Sequence, residues 1–152
     1  MIVTRTGIVA ALVAAALTSA TAFAADPIET RKATMKAIGG AFGGVLVKMV
    51  KGEKPYDAKE AKAALDTMIA KADSIDVDVL FAKGTATGGD TAAAPKIWED
   101  LAGFKAAMSK MKDTLPAQAA NVGKDVAGLK VAIAEIGKTC KSCHDTYRLE
   151  KN

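Results

Sequence analysis

The sequence predicts an all-α protein, an antiparallel up-down-up-down four-helix bundle, and three observations point there. Apolar residues recur at spacings of three and four in four separate stretches. Half of the 152 residues are hydrophobic but only 5% are aromatic, a composition that suits packed helices better than a β-sandwich. No alternating strand pattern competes with the helical one. The length bounds the chain at one domain. A formal net charge of +4 is too modest an excess to suggest nucleic-acid binding. Two cysteines cannot build a disulfide scaffold, and one histidine cannot build a histidine-rich metal site.

Residues 1–24 read as a signal peptide. A single charge at Arg5 precedes an uncharged stretch whose apolar centre is too short to span a bilayer, and Ala22-Phe23-Ala24 is a small-x-small cleavage signal. The expected mature domain is 25–152, exported to an oxidising compartment, with no membrane span after processing. Asp26-Pro27-Ile28-Glu29 starts the first helix, with Asp as cap and Pro at its first position. Its seam is Ile28, Met35, Ile38, Phe42, Val45 and Met49, and Gly52 stops it. Asp57-Ala58-Lys59-Glu60 caps the second helix, whose stripe runs through Ala61, Leu65, Met68, Ala72 and Ile75. The third opens after Pro95 with Ile97, Leu101, Phe104, Met108, Met111 and Leu115, and Pro116 ends or kinks it. The fourth carries Val126, Leu129, Ile133, Ile136, Cys140, Cys143 and Tyr147. Between the second and third helices, 76–93 is long for a structureless connection. Val79, Leu80 and Phe81 are expected to anchor it over one end of the core.

Cys140-Lys141-Ser142-Cys143-His144 is a C-x-x-C-H sequence, the pattern of c-type haem attachment. On a helix, positions three apart share one face, so both sulfurs reach the two vinyl groups of one porphyrin while the next imidazole approaches iron. A thioredoxin-like pair instead wants its cysteines at a helix N-terminus, and these lie near the C-terminal end. Zinc would need a second pair of ligands, and none exists. A disulfide three residues apart in a helix would strain the backbone.

The position opposite His144 is open to several groups. His144 and Met35 each lie about 12 Å from the same end of an up-down bundle, at 1.5 Å per residue. Met68 competes from about 9–10 Å, whereas Met49, Met108 and Met111 sit at about 20 Å or more. Met35 as ordinary core is the plain alternative. Arg31, one turn earlier on the seam, is a candidate partner for haem propionates, since a buried guanidinium is costly unless paired; an exposed Arg in a fraying first turn is the plain alternative. Tyr147, one turn after Cys143, is expected to pack against the porphyrin edge.

These residues resemble the cytochrome c-prime family, the class II c-type cytochromes. The resemblance is carried by Cys140 to Arg148 as C-x-x-C-H-x-x-[YF]-R, by Gly88-Gly89-Asp90 leading to Pro95-Lys96-Ile97-Trp98, and by Arg31 to Met35 followed by Gly39 and the 51–57 turn. It implies one covalent haem c on Cys140 and Cys143, His144 as proximal iron ligand and Arg148 near the proximal face. The position four after Arg31 is non-ligating in the high-spin branch. Methionine there resembles the low-spin c-556-type branch, in which it binds iron. The expected function is therefore periplasmic electron transfer by a six-coordinate His/Met haem, not enzymatic catalysis. The alternative is a five-coordinate c-prime-like binder of NO or CO, and a thiol oxidoreductase is a second rival. Expected partners are periplasmic redox proteins, met by a positive rim that includes Lys141. The resemblance also implies a possible homodimer through the first two helices, where Gly39, Gly40, Gly43 and Gly44 permit close approach.

Overall fold

A computed structural model describes residues 26–150. The leader expected at 1–24 lies outside them. Four long helices form the fold: α1 (Pro27–Val50), α2 (Ala58–Asp73), α3 (Leu101–Ala117) and α4 (Val126–Tyr147). No strand occurs among the described residues; the one extended pairing is an isolated bridge between Ala93 and Arg148.

The caps account for where helices begin. Asp26 accepts from the Ile28 amide at 2.8 Å, Asp57 from Glu60 at 2.7 Å and Asp125 from Gly128 at 2.7 Å. Each answers one of the amides that a first turn leaves unpaired. α1 packs along α2, α2 against α3 and α3 along α4. Fully buried Leu46, Leu65, Met68, Ile97, Leu115, Leu129 and Ile136 fill the space between them. At the end remote from His144, the Tyr56 hydroxyl donates to the Val122 carbonyl at 3.0 Å and closes the turn.

Three departures from the sequence reading have local causes. The buried row of α1 runs Ile38, Ala41, Leu46, Met49, so its middle gap is five residues. That gap coincides with a π-helical turn at Phe42–Val47, whose i→i+5 period moves Leu46 to the core and leaves Phe42 and Val45 half-buried. The third helix does not run on from Pro95. A short turn, Lys96–Glu99, is broken at Asp100, which then caps α3 by accepting from Gly103 at 3.0 Å. Pro116 sits inside the last turn of α3 rather than ending it. Finally, 76–93 contains a helical turn at Val77–Leu80 that buries Leu80 and Phe81 as expected, while Val79 points outward at 57% exposure.

Candidate functional site

α1 approaches α4 mainly through its later half, Phe42–Val47 and Lys48–Val50; the earlier Pro27–Ala41 stands off from α4. A cavity of about 480 Å³ opens in this region. One wall carries Arg31 and Met35 from α1, and another carries Cys143, His144, Tyr147 and Arg148 from the end of α4 and just beyond. Phe81, Ile97, Phe104 and Met108 form an apolar floor. That volume lies within the range of small-molecule and cofactor sites, and the mix of apolar lining with a few directed polar groups is typical of them.

The sequence-predicted residues are brought together with one exception. Cys140 packs half-buried against the core and does not line this cavity, although it sits one turn before Cys143 on α4. Burial pushes both thiols above their usual range. A redox dithiol works through a stabilised thiolate, so this environment disfavours the thiol-oxidoreductase reading. His144 is depressed, first by partial burial and then by the Arg148 guanidinium. Both influences favour the neutral imidazole, which is the ligating form.

Among the methionines the outcome differs from the rise-per-residue reading. Met68 is wholly buried in the core and absent from the cavity lining. Met108 lines it. The break at Asp100 explains this: α3 starts at Leu101, so Met108 lies only about 10 Å above the start of its helix. Met35 lines the same cavity and is half-buried.

Arg31 was expected to face propionates. It is 4% exposed, and its four terminal N–H groups meet protein acceptors instead. Nη1 donates to the Leu80 carbonyl and Thr85 Oγ1, each at 3.1 Å. Nη2 donates to the Thr85 carbonyl at 2.7 Å and Thr91 Oγ1 at 2.6 Å. The guanidinium carbon stands 5.0 Å from the Phe81 ring centroid and 5.8 Å from that of Trp98, within cation–π range. The two hydroxyls are themselves held in the segment, Thr85 Oγ1 donating to the Ala82 carbonyl at 2.9 Å and Thr91 Oγ1 accepting from the Ala93 amide at 3.2 Å.

Tyr147 lines the cavity edge and makes a second, unpredicted contact. Its hydroxyl donates to Asp100 Oδ2 at 2.9 Å, and its ring meets Phe104 edge-on at 5.2 Å. Gly103 makes room for this pair: a Cβ there would stand 2.3 Å from Asp100 Oδ2 and 2.6 Å from the Tyr147 hydroxyl. Lys141 is answered by Asp145 on the next turn at 2.6 Å, so it is a poor carrier of a positive rim. Lys36 and Arg148 line the mouth and form no salt bridge among the described residues.

Asp100, Phe104, Met108, Thr85 and Thr91 escaped the sequence reading as site residues. Asp100 carried a signal, since an Asp three residues before Gly103 is a helix cap. The two threonines carried none, because their role is defined by a partner 54 and 60 positions away.

The residues fit a haem. The cavity has an apolar floor, and an imidazole from α4 and a thioether from α1 both line it. The Cys143 thiol lines the cavity beside the imidazole, and Cys140 lies one turn before it on the same helix. A family model described as Cytochrome C' matches residues 26–148. Cytochrome c-556 of Agrobacterium fabrum (strain C58) is 40% identical over 95% of this chain and 95% of its own length. Cytochrome c' of Rhodopseudomonas palustris is 39% identical over 84% of each. A solved structure of cytochrome c' from Rhodopseudomonas palustris superposes with a TM-score of 0.77 at 36% identity, covering 85% of this chain and 100% of that one. Cytochrome c prime from Shewanella frigidimarina gives 0.72 at 36% identity, over 83% and 96%. With a family match that runs from the cap of α1 to the residue after α4, the chain belongs to the cytochrome c' family of haem proteins, which carry one covalently attached haem c.

Proposed function

We propose that this chain is a periplasmic electron carrier whose haem c is six-coordinate and low-spin. Cys140 and Cys143 would hold the porphyrin as thioethers, with His144 and Met35 as axial ligands. The observation that carries the reading is the shared cavity, which a thioether from α1 and an imidazole from α4 both line. The haem supplies the one-electron couple, and Met/His ligation raises its potential. The protein does the rest. Phe81, Ile97, Phe104 and Met108 exclude water from the interior side. Arg148 helps keep the imidazole of His144 neutral. Lys36 and Arg148 give the mouth a positive character suited to an acidic redox partner, where Lys141 does not.

Absorption spectra of ferric and ferrous holoprotein test the ligand set. Low-spin spectra in both states, converted to high-spin by Met35→Ala, are the expected result. High-spin spectra in wild type defeat Met35 as ligand. A low-spin spectrum that survives Met35→Ala but not Met108→Leu moves the ligand to α3.

A second reading, a five-coordinate site open to NO or CO, has one observation in its favour. Met35 is half-buried, whereas Met108 is 2% exposed, so the α1 thioether is the less enclosed of the two. Dimerisation through α1 and α2 belongs with the same proposals. Gly39, Gly40, Gly43 and Gly44 have no atom within 4 Å of a would-be Cβ, so that face is open.

A further inference from the structure

Segment 80–94 runs across the open end of the bundle and is fastened at both sides. On the α1 side, Arg31 supplies four hydrogen bonds to Leu80, Thr85 and Thr91. Lys32 adds a bond to the Gly89 carbonyl at 2.9 Å. Gly89 lies so close to α1 that a Cβ would stand 3.0 Å from Ile28 Cγ2, and its φ of +56° also suits glycine. On the α4 side, the Ala94 amide donates to the Tyr147 carbonyl at 3.0 Å, and the Leu149 amide donates to the Ala92 carbonyl at 2.8 Å. Between these fastenings, Asp90, Thr91, Ala92 and Ala93 form part of the cavity wall. The segment thus joins the helix that bears Met35 to the helix that bears His144.

We propose that Arg31 is a positioning residue that pins this strap, and so sets how freely a diatomic ligand reaches the iron on the Met35 side. The inference rests on the haem reading above, with Met35 distal. The physical case is the fork. A planar guanidinium offers fixed, divergent donors that a lysine cannot imitate, and the Phe81 and Trp98 rings lie within cation–π range of it. Once the fork is lost, the Leu80 and Thr85 carbonyls lose their donors, while Thr85 Oγ1 keeps its bond to the Ala82 carbonyl and Thr91 Oγ1 its bond from the Ala93 amide. The strap then loosens on its α1 side, where the Lys32 bond to the Gly89 carbonyl remains, while the α4 fastenings persist.

The test uses ferrous holoprotein with CO as the probe, and native-state amide exchange of 82–93 as a readout independent of iron ligation. Arg31→Met should accelerate exchange across the strap about tenfold or more, given what bonds to a charged donor contribute. The CO association rate should rise severalfold with it. Arg31→Lys should behave like Arg31→Met, and a Thr85→Val/Thr91→Val double variant, with Arg31 intact, should move both readouts the same way. If Arg31→Lys restores wild-type exchange and CO rate, charge alone is at work and the strap assignment is overturned. Faster exchange with an unchanged CO rate also overturns it. Failure of the Met35 assignment is read separately, from the Met35→Ala spectrum.

Discussion

The two walls of the cavity are built by opposite means. The α4 wall is local: Cys143, His144, Tyr147 and Arg148 fall within six consecutive positions at the end of one helix. The α1 wall is assembled at long range, with Arg31 reaching acceptors 49, 54 and 60 positions away. A wall written in consecutive residues fixes identity, since its chemistry needs no partner to be recognised. A wall held by distant bonds fixes access, and it can vary in tightness without altering the attachment chemistry.

The largest expected effect breaks the first wall. Replacing Cys140 and Cys143 together by Ala should abolish covalent haem, and mass spectrometry of the purified product should find polypeptide alone. A tetrapyrrole adduct on that variant would refute the assigned attachment. The Met35→Ala and Arg31→Met experiments weaken the second wall and leave covalent haem in place. Met68→Ala sharpens the contrast by touching neither wall. Met68 is fully buried away from the cavity, so the variant should lose about 2–5 kcal/mol in denaturant unfolding with an unchanged haem spectrum. A change in spin state would return Met68 to the ligand candidates.

The smallest effect concerns how the end of α4 is secured. Asp100 is held below its usual carboxylate range first by the Gly103 amide and then by the Tyr147 hydroxyl. A carboxyl depressed in the folded state stabilises above its unfolded pKa, and that contribution disappears as pH falls through the folded value. Asp100→Asn should therefore lower the melting temperature slightly at neutral pH, and the gap from wild type should close below about pH 4. A gap that persists undiminished in acid would assign the effect to packing around Gly103 instead.

Legibility in the sequence followed the range of the interactions. The π turn in α1 and the break before α3 interrupt the seams of those two helices. The caps at Asp26 and Asp57 and the seams of α2 and α4 depend on neighbours within a turn or two, and they appear where the spacing predicts them. The C-x-x-C-H motif is of the same kind. The helix break at Asp100 was obscured because Ile97 and Leu101 keep a perfect four-residue interval across it. That hidden break is what misplaced Met108. The seam position of Arg31 is legible, but one sequence cannot say whether the guanidinium is buried or which acceptors a folded connection will present.

The π turn in α1 has a consequence for both ends of that helix. One additional residue in an α-helix rotates everything beyond it by about 100°. The wide turn at Phe42–Val47 absorbs that excess, so Leu46 and Met49 stay in line with Ile38 and Ala41. It acts as a phase adjuster between two halves with different duties, one clasping the bundle and the other displaying Arg31 and Met35.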